Sequence, residues 1–285
     1  MSFTDWCNLK LSLVNREWCV SKLSLAKSLY KRIMKREWDF KNPKTFTEKI
    51  WWLKIYDSTP LKSFCADKLH LHDYSIQVLG KDICIPVIKV YNKVEDINYN
   101  ELPNAFVIKC NHGSGYNIIV KDKSNVNKAE IAKKIKKWMS EDYSFVYDCE
   151  LHYHLIDRKI YIEEYKESLN DIKIFCFNGR PMFCQVDKHF SEHRMNFYDC
   201  NWNYIPWISN STYPANPHIQ DAKPTQLNEM LELATLLSKD FKFVRVDLYP
   251  REDGIYLGEL TFTPGGGRQH YMGDGDKKIG EMLDL

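Results

Sequence analysis

The sequence predicts an α+β fold of antiparallel hairpins, preceded by a helix-rich N-terminal region. Three observations carry this. Apolar residues recur at helical spacing as far as residue 79. From Ala105 the period changes to two. Most strand-like runs then come in pairs joined by short polar turns. The chain has 285 residues and is 44% hydrophobic, enough for a sizeable core.

The elements follow in order. Ser21 is placed to cap a helix carrying Leu25, Leu29, Ile33 and Met34. Thr47 is placed to cap a second, with Phe46 before it and Ile50, Trp51 and Leu53 inside. A third helical pattern runs over 61–79 and stops at Gly80. Residues 83–91 read as a short strand. Phe106, Ile108 and Cys110 alternate with Val107 and Lys109 in the next, followed by a turn over 111–116 and a strand over 117–121. A helix over 127–140 sets Lys133, Lys134, Lys136 and Lys137 against Ile131, Ile135 and Trp138, which reads as a solvated face opposite a buried one. His152 and His154 read as surface histidines sharing a strand face. A strand over 159–165 leads to a hairpin over 171–186 that turns on Asn178-Gly179. A loop over 206–224 and a helix over 224–239 precede the last two strands. The expected divisions are a helical region over 1–100, a lid subdomain over 101–165 and a C-terminal subdomain over 166–285.

Composition narrows the function. The net charge of +2 gives no global field to recruit nucleic acid or an anionic membrane. Nine cysteines, an odd number without a Cys-x-x-Cys pair, suit free thiols in a reducing compartment. Charged or polar residues interrupt every apolar window near the N-terminus, so neither a signal peptide nor a membrane span is expected, and a cytoplasmic location is.

The chemistry concentrates near the C-terminus. In a strand over 244–249, Arg245, Asp247 and Tyr249 share one face. A three-residue turn, Glu252-Asp253-Gly254, would pair Arg251 with Ile255. That register sets Asp247 opposite Glu259 and Arg245 opposite Thr261. Opposed carboxylates repel unless one is protonated or a cation sits between them. Magnesium suits such oxygen donors; spacing alone leaves an exposed pair neutralised by Arg245 equally open. Pro264 and three consecutive glycines, 265–267, favour close approach of backbone to an anion.

Other candidates are scattered upstream. Lys109 is costly on a buried strand unless its ammonium meets water or an anion. The turn after it contains His112, Gly113, Ser114 and Gly115, which suits a phosphate flap and equally a plain hairpin. Glu163, Glu164 and Tyr165 end a strand whose edge suits an adenine ring or open solvent. His189 and His193 have metal-ligand spacing without further ligands, so Lys188, His189 and Arg194 read better as substrate contacts. Arg268 is placed to meet a carboxylate or phosphate.

Several motifs occur in one order: FTEKIWWLK at 46–54, ADK at 66–68, FVIKCNHGSG at 106–115, KIFCFNG at 173–179, NFYD at 196–199, FVRVD at 243–247 and GELTFTPG at 258–265. Together they resemble the TupA-like branch of the ATP-grasp superfamily, associated with teichuronopeptide and other surface-polysaccharide biosynthesis, over roughly 40–285. The resemblance implies an ATP-grasp fold, with two α+β subdomains clasping ATP. It implies that Lys109, Lys68 and Lys173 lie on the nucleotide, that 112–115 form the flap, and that Glu163, Glu164 and Tyr165 meet adenine. It implies Arg245 as the arginine that steadies the acyl phosphate, and Asp247 and Glu259 as magnesium ligands. Thr261 stands where many relatives have asparagine. The reaction implied is ADP-forming carboxylate–amine ligation, joining an amino acid to a nucleotide-linked uronic acid or amino sugar. The alternatives are a kinase-like phosphotransferase and a glycosyltransferase using Asp274-Gly275-Asp276.

Overall fold

The structure, a computed structural model, describes residues 16–146, 148–167, 171–188 and 194–285. Helices α1 (Arg16–Ser21) and α2 (Leu23–Met34) precede α3 (Phe46–Tyr56). Ser21 ends α1, with its hydroxyl on the Trp18 carbonyl at 2.6 Å, so it does not cap α2. The cap of α3 is Thr45, two residues earlier than expected. Thr45 forms a capping box with Glu48, satisfying two backbone donors reciprocally. Thr47 lies inside the helix, and its backbone N–H and hydroxyl donate to Asp276 at 2.8 and 2.7 Å. The third helical pattern divides at Asp67 into α4 (Pro60–Ala66) and α5 (His70–Leu79), and Gly80 ends it at φ 72° as expected.

The first sheet contains β1 (Val87–Tyr91), β2 (Phe106–Cys110), β3 (Asn117–Val120) and β4 (Ile160–Glu164) in the antiparallel order β1-β4-β2-β3. Phe106, Ile108, Cys110, Ile160 and Ile162 form one buried face, packed with Ile131 and Ile135 of α6 (Lys128–Ser140). Register places Val107, Lys109, Tyr161 and Glu163 on the other face. A short helix, α7 (Tyr143–Val146), and a helical turn at Leu151–Tyr153 fill the interval before β4. His152 lies in that turn, 2% exposed and edge-on to Phe262, rather than on a surface strand.

The second sheet contains β5 (Ile172–Phe177), β6 (Arg180–Lys188), β7 (Arg194–Asp199), β8 (Phe243–Arg251) and β9 (Gly254–Thr261), in the antiparallel order β7-β6-β5-β8-β9. Asn178 and Gly179 turn the β5–β6 hairpin with φ 49° and 77°. Ile174, Cys176, Cys184, Val244 and Val246 face α8 (Leu227–Ser238) in the largest core. The opposite face is aromatic at one end, where Phe46 of α3 packs on Phe175, Phe177 and Phe243. Its other end carries Lys173, Asp187, Arg245 and Asp247.

The β8–β9 register reaches the expected pairing by a different route. Arg251 pairs with Gly254 across a two-residue turn, one step short of the expected register. A bulge at Gly258 adds the missing residue, so Asp247 still pairs with Glu259 and Arg245 with Thr261. A Cβ on Gly258 would lie 2.5 Å from the Tyr249 ring. Gly258→Ala is therefore expected to lower unfolding free energy by about 1–3 kcal/mol, read by chemical denaturation. A neutral substitution would mean that the bulge is not what fixes this register.

The last helix, α9 (Gly275–Glu281), docks on the start of α3. The eight described cysteines are all free, and seven are buried. Among the described residues no helix is long and apolar enough to cross a membrane.

Candidate active site

A cavity of about 410 Å³ is lined by the flap, by β8 and β9, and by the glycine turn that follows them: Ser114 and Gly115; Arg245, Glu259 and Thr261; and Gly265, Gly266 and Arg268, with Glu150 and Tyr153 among the remaining walls. Its floor is the hairpin. Arg245 is 7% exposed and donates from Nε and Nη2 to the two oxygens of Asp247, at 2.6 and 2.5 Å. The same Nη2 lies 3.1 Å from Glu259 and from Thr261, and the Thr261 hydroxyl donates to Glu259 at 2.6 Å. Asp247 is thus buried and Glu259 partly so beneath Arg245, which removes the reading of a fully solvated surface pair.

The charges around this floor do not cancel. Burial pushes the Asp247 carboxyl up to about 7, more than the attraction of Arg245 returns. Burial also opposes the charge of Glu259, but Lys68 and Arg245 outweigh it and hold that carboxyl below its usual range. Burial likewise works against the charge on Arg245, yet Asp247 and Glu259 hold its guanidinium protonated. A further cation beside Asp247 would favour its ionised form. The oxygen donors of Asp247, Glu259 and Thr261 therefore fit a hard divalent cation.

The lysines approach from both sheets. The Lys109 ammonium lies 2.6 Å from Glu163 across β2 and β4. Lys68 donates to the carbonyl of Gly113 at 2.6 Å, and burial pulls its ammonium below the usual range while Glu259 pulls the other way. Lys173 pairs with Asp171 and Asp187 directly beside Asp247 in the register. All three lysines thus have a carboxylate or the flap carbonyl as the partner that a phosphate would displace or join.

The other predicted residues divide. Ser114 and Gly115 are exposed at the flap tip on the cavity rim. His112 is 1% exposed at the flap's root, where its Nε2 meets the Trp138 carbonyl at 3.0 Å; it anchors the flap to α6 rather than covering a ligand. Glu163 faces Lys109, whereas Glu164 lies on the opposite face of β4, 3.2 Å from Lys166. Tyr165 follows the strand and is half-buried. Arg268 lies on the cavity rim with its guanidinium on Asp148.

Lys188 and Arg194 do not join the site. They pair with each other in register on the α8 side of the second sheet, away from Arg245 and Asp247. Arg194 makes a bidentate bond to Asp221 at 2.7 Å, and Lys188 borders a separate cavity of about 650 Å³ beside Trp202. That cavity is larger, but its buried acid Asp221 already has a cation and needs no other. The sequence pattern missed this because the parity of β6 decides the face, and Lys188 differs in parity from Asp187. His189 and His193 lie outside the described residues. Asp276, the second acid of Asp274-Gly275-Asp276, is spent on Thr47 and Arg36.

Beyond the glycine run, which the sequence marks, several neighbours of the cavity had no sequence signal. The glycines at 265–267 all have φ between 56° and 69°, a left-handed run that side chains other than glycine rarely adopt. Trp51 donates to the Gly267 carbonyl at 2.8 Å, and the Lys54 ammonium to those of Gly266 and Asp148 at 2.5 and 2.8 Å. Asp67 holds the flap root through Asn111 at 2.9 Å. Glu150 is 4% exposed and accepts the Thr263 hydroxyl.

A family model described as TupA-like ATPgrasp matches residues 48–284. No curated protein matches the chain. Among solved structures, the chain is similar to D-alanine–D-alanine ligase from Bacillus anthracis complexed with ATP, at 19% identity and TM-score 0.44, covering 70% of this chain and 55% of that one. It is similar to D-alanine–D-alanine ligase from Helicobacter pylori at 15% identity and TM-score 0.44, covering 84% and 67%. It is also similar to N5-carboxyaminoimidazole synthetase from Staphylococcus aureus complexed with ADP, at 12% identity and TM-score 0.42, covering 70% and 44%. The chain spans 55% and 57% of the length of two matched D-alanine–D-alanine ligase structures from Bacillus anthracis.

Proposed function

The chain belongs to the TupA-like ATP-grasp family, and from that premise we propose that it is an ADP-forming carboxylate–amine ligase of surface-polysaccharide assembly, working in the cytoplasm. Its substrates would be an amino acid and a nucleotide-linked uronic acid or amino sugar. The observation that supports this most is the Arg245–Asp247–Glu259 cluster, with Arg245 and Asp247 buried and Glu259 on the cavity, and with Lys68 and Lys109 close by. A binding module has no use for a buried carboxylate set opposite a second one, an arrangement that costs stability.

In this reading Asp247 and Glu259, with the Thr261 hydroxyl, would hold magnesium, which when bound neutralises phosphate charge and orients the transferring group. Lys68, Lys109 and Lys173 bind the nucleotide phosphates, and the flap at 113–115 closes over them. A substrate carboxylate attacks the γ-phosphate and becomes an acyl phosphate. The amine then displaces phosphate. Arg245 faces the carbonyl oxygen as charge develops on it.

The experiment is an ADP-release screen of amino acids against nucleotide-linked uronic acids and amino sugars. ADP release that needs both an acid and an amine is the expected result. ADP formed with one substrate alone, with a phosphorylated product, would favour a phosphotransferase. No ADP from any pair would overturn the reading.

A further inference from the structure

The ligase reading leaves one proton unassigned, since an amine reaches the site as an ammonium and must be deprotonated before it attacks. Resting on that reading, we propose that Glu150 is the catalytic group that takes this proton, from the cavity wall it shares with Arg245 and the glycine turn. Glu150 lines the cavity together with Arg245, Glu259, Gly265 and Gly266. Its oxygen Oε1 accepts the Thr263 hydroxyl, which leaves Oε2 to meet an incoming amine.

The plain alternative is that Glu150 only balances Lys54. The hydrogen bonds speak against that as its whole role, because Lys54 donates to the carbonyls of Gly266 and Asp148. Burial pushes the Glu150 carboxyl above its usual range, although Lys54 and Arg268 pull it down. A base with its proton affinity raised towards neutrality is well matched to an ammonium. The titratable and charged groups facing it are Lys54 of α3, Asp148 before it, Tyr153 after it and Arg268 beyond the glycines. The backbone that delivers it is unusual: Asp148 and Cys149 both take left-handed conformations, φ 63° and 64°.

The step balances. The ammonium gives one proton to the Glu150 carboxylate, and the free amine attacks the acyl-phosphate carbonyl. As the carbon–oxygen bond to phosphate breaks, the second amine proton leaves with the phosphate. The amide remains, and Glu150 returns its proton to solvent.

The test separates the two halves of the reaction. Full-length wild type and Glu150→Gln are given MgATP, the acid that supports ADP release in the screen above, and either glycinamide or hydroxylamine. Hydroxylamine is largely unprotonated at neutral pH and needs no base. Glu150→Gln is expected to lose about 10²-fold with glycinamide while forming hydroxamate near the wild-type rate. It should also lose the acid limb of the glycinamide rate profile, and the hydroxylamine profile should not change. Equal loss with both amines, or no loss with either, would overturn the assignment of Glu150 alone. A wild type that yields neither amide nor hydroxamate with any acid would overturn the ligase reading with it.

Discussion

Asp247→Asn is expected to reduce ATP-dependent ADP release by on the order of 10³-fold while the protein stays folded. The carboxylate sits at the centre of β8, buried behind Arg245, which lines the cavity and donates to both its oxygens. Asparagine keeps the volume and one acceptor oxygen, so packing survives. The charge does not survive, and neither does the site's pull on a divalent cation. Circular dichroism and a thermal melt check the fold, and a coupled ADP assay reads the activity. A variant within a few-fold of wild type would remove Asp247 from the metal site.

Arg245→Met should produce the largest change in stability. It leaves the buried Asp247 beside the half-buried Glu259 without their shared cation, a loss of about 3–5 kcal/mol. The pH dependence has a definite sign. Burial already holds the Asp247 carboxyl above its unfolded value, and loss of the guanidinium raises it further, so its protonated form favours the folded state. The deficit against wild type should therefore be small in acid and grow as pH rises through neutrality. Magnesium should restore more stability to the variant than to the wild type, since it replaces the missing charge. Denaturant titrations at several pH values, with and without magnesium, check both points. A deficit that does not vary with pH would mean that lost packing, not charge, causes it.

Much of the frame was legible because local rules set it. Period two in 106–110 and Asn178-Gly179 in the long hairpin are decided by nearest neighbours, and they appear as expected. The Asp247–Glu259 pairing was legible for a less secure reason. The turn is one residue shorter than its Gly254 suggested, and the Gly258 bulge offsets it. Helix starts were less legible: Thr45 and Thr47 both suit a cap, and Glu48 decides for Thr45. The lysine at 188 and the arginine at 194 misled because their sheet face depends on the parity of β6 through its hairpin. Glu150, Asp148 and Lys54 were illegible for a different reason. Their meeting is a long-range contact between α3, an irregular segment and the glycine turn, and no periodicity encodes it.

The ties from Trp51 and Lys54 to the glycine run have a mechanical consequence. Two side chains of one helix grip consecutive carbonyls of a segment that has no side chains of its own. That edge of the cleft is a fixed jaw, braced from the N-terminal third of the chain. The opposing jaw is the flap, whose tip is exposed and which Lys68 reaches through the Gly113 carbonyl. In the proposed ligase, opening and closing for nucleotide exchange would fall to the flap, with the helices before it as the anvil against which it shuts.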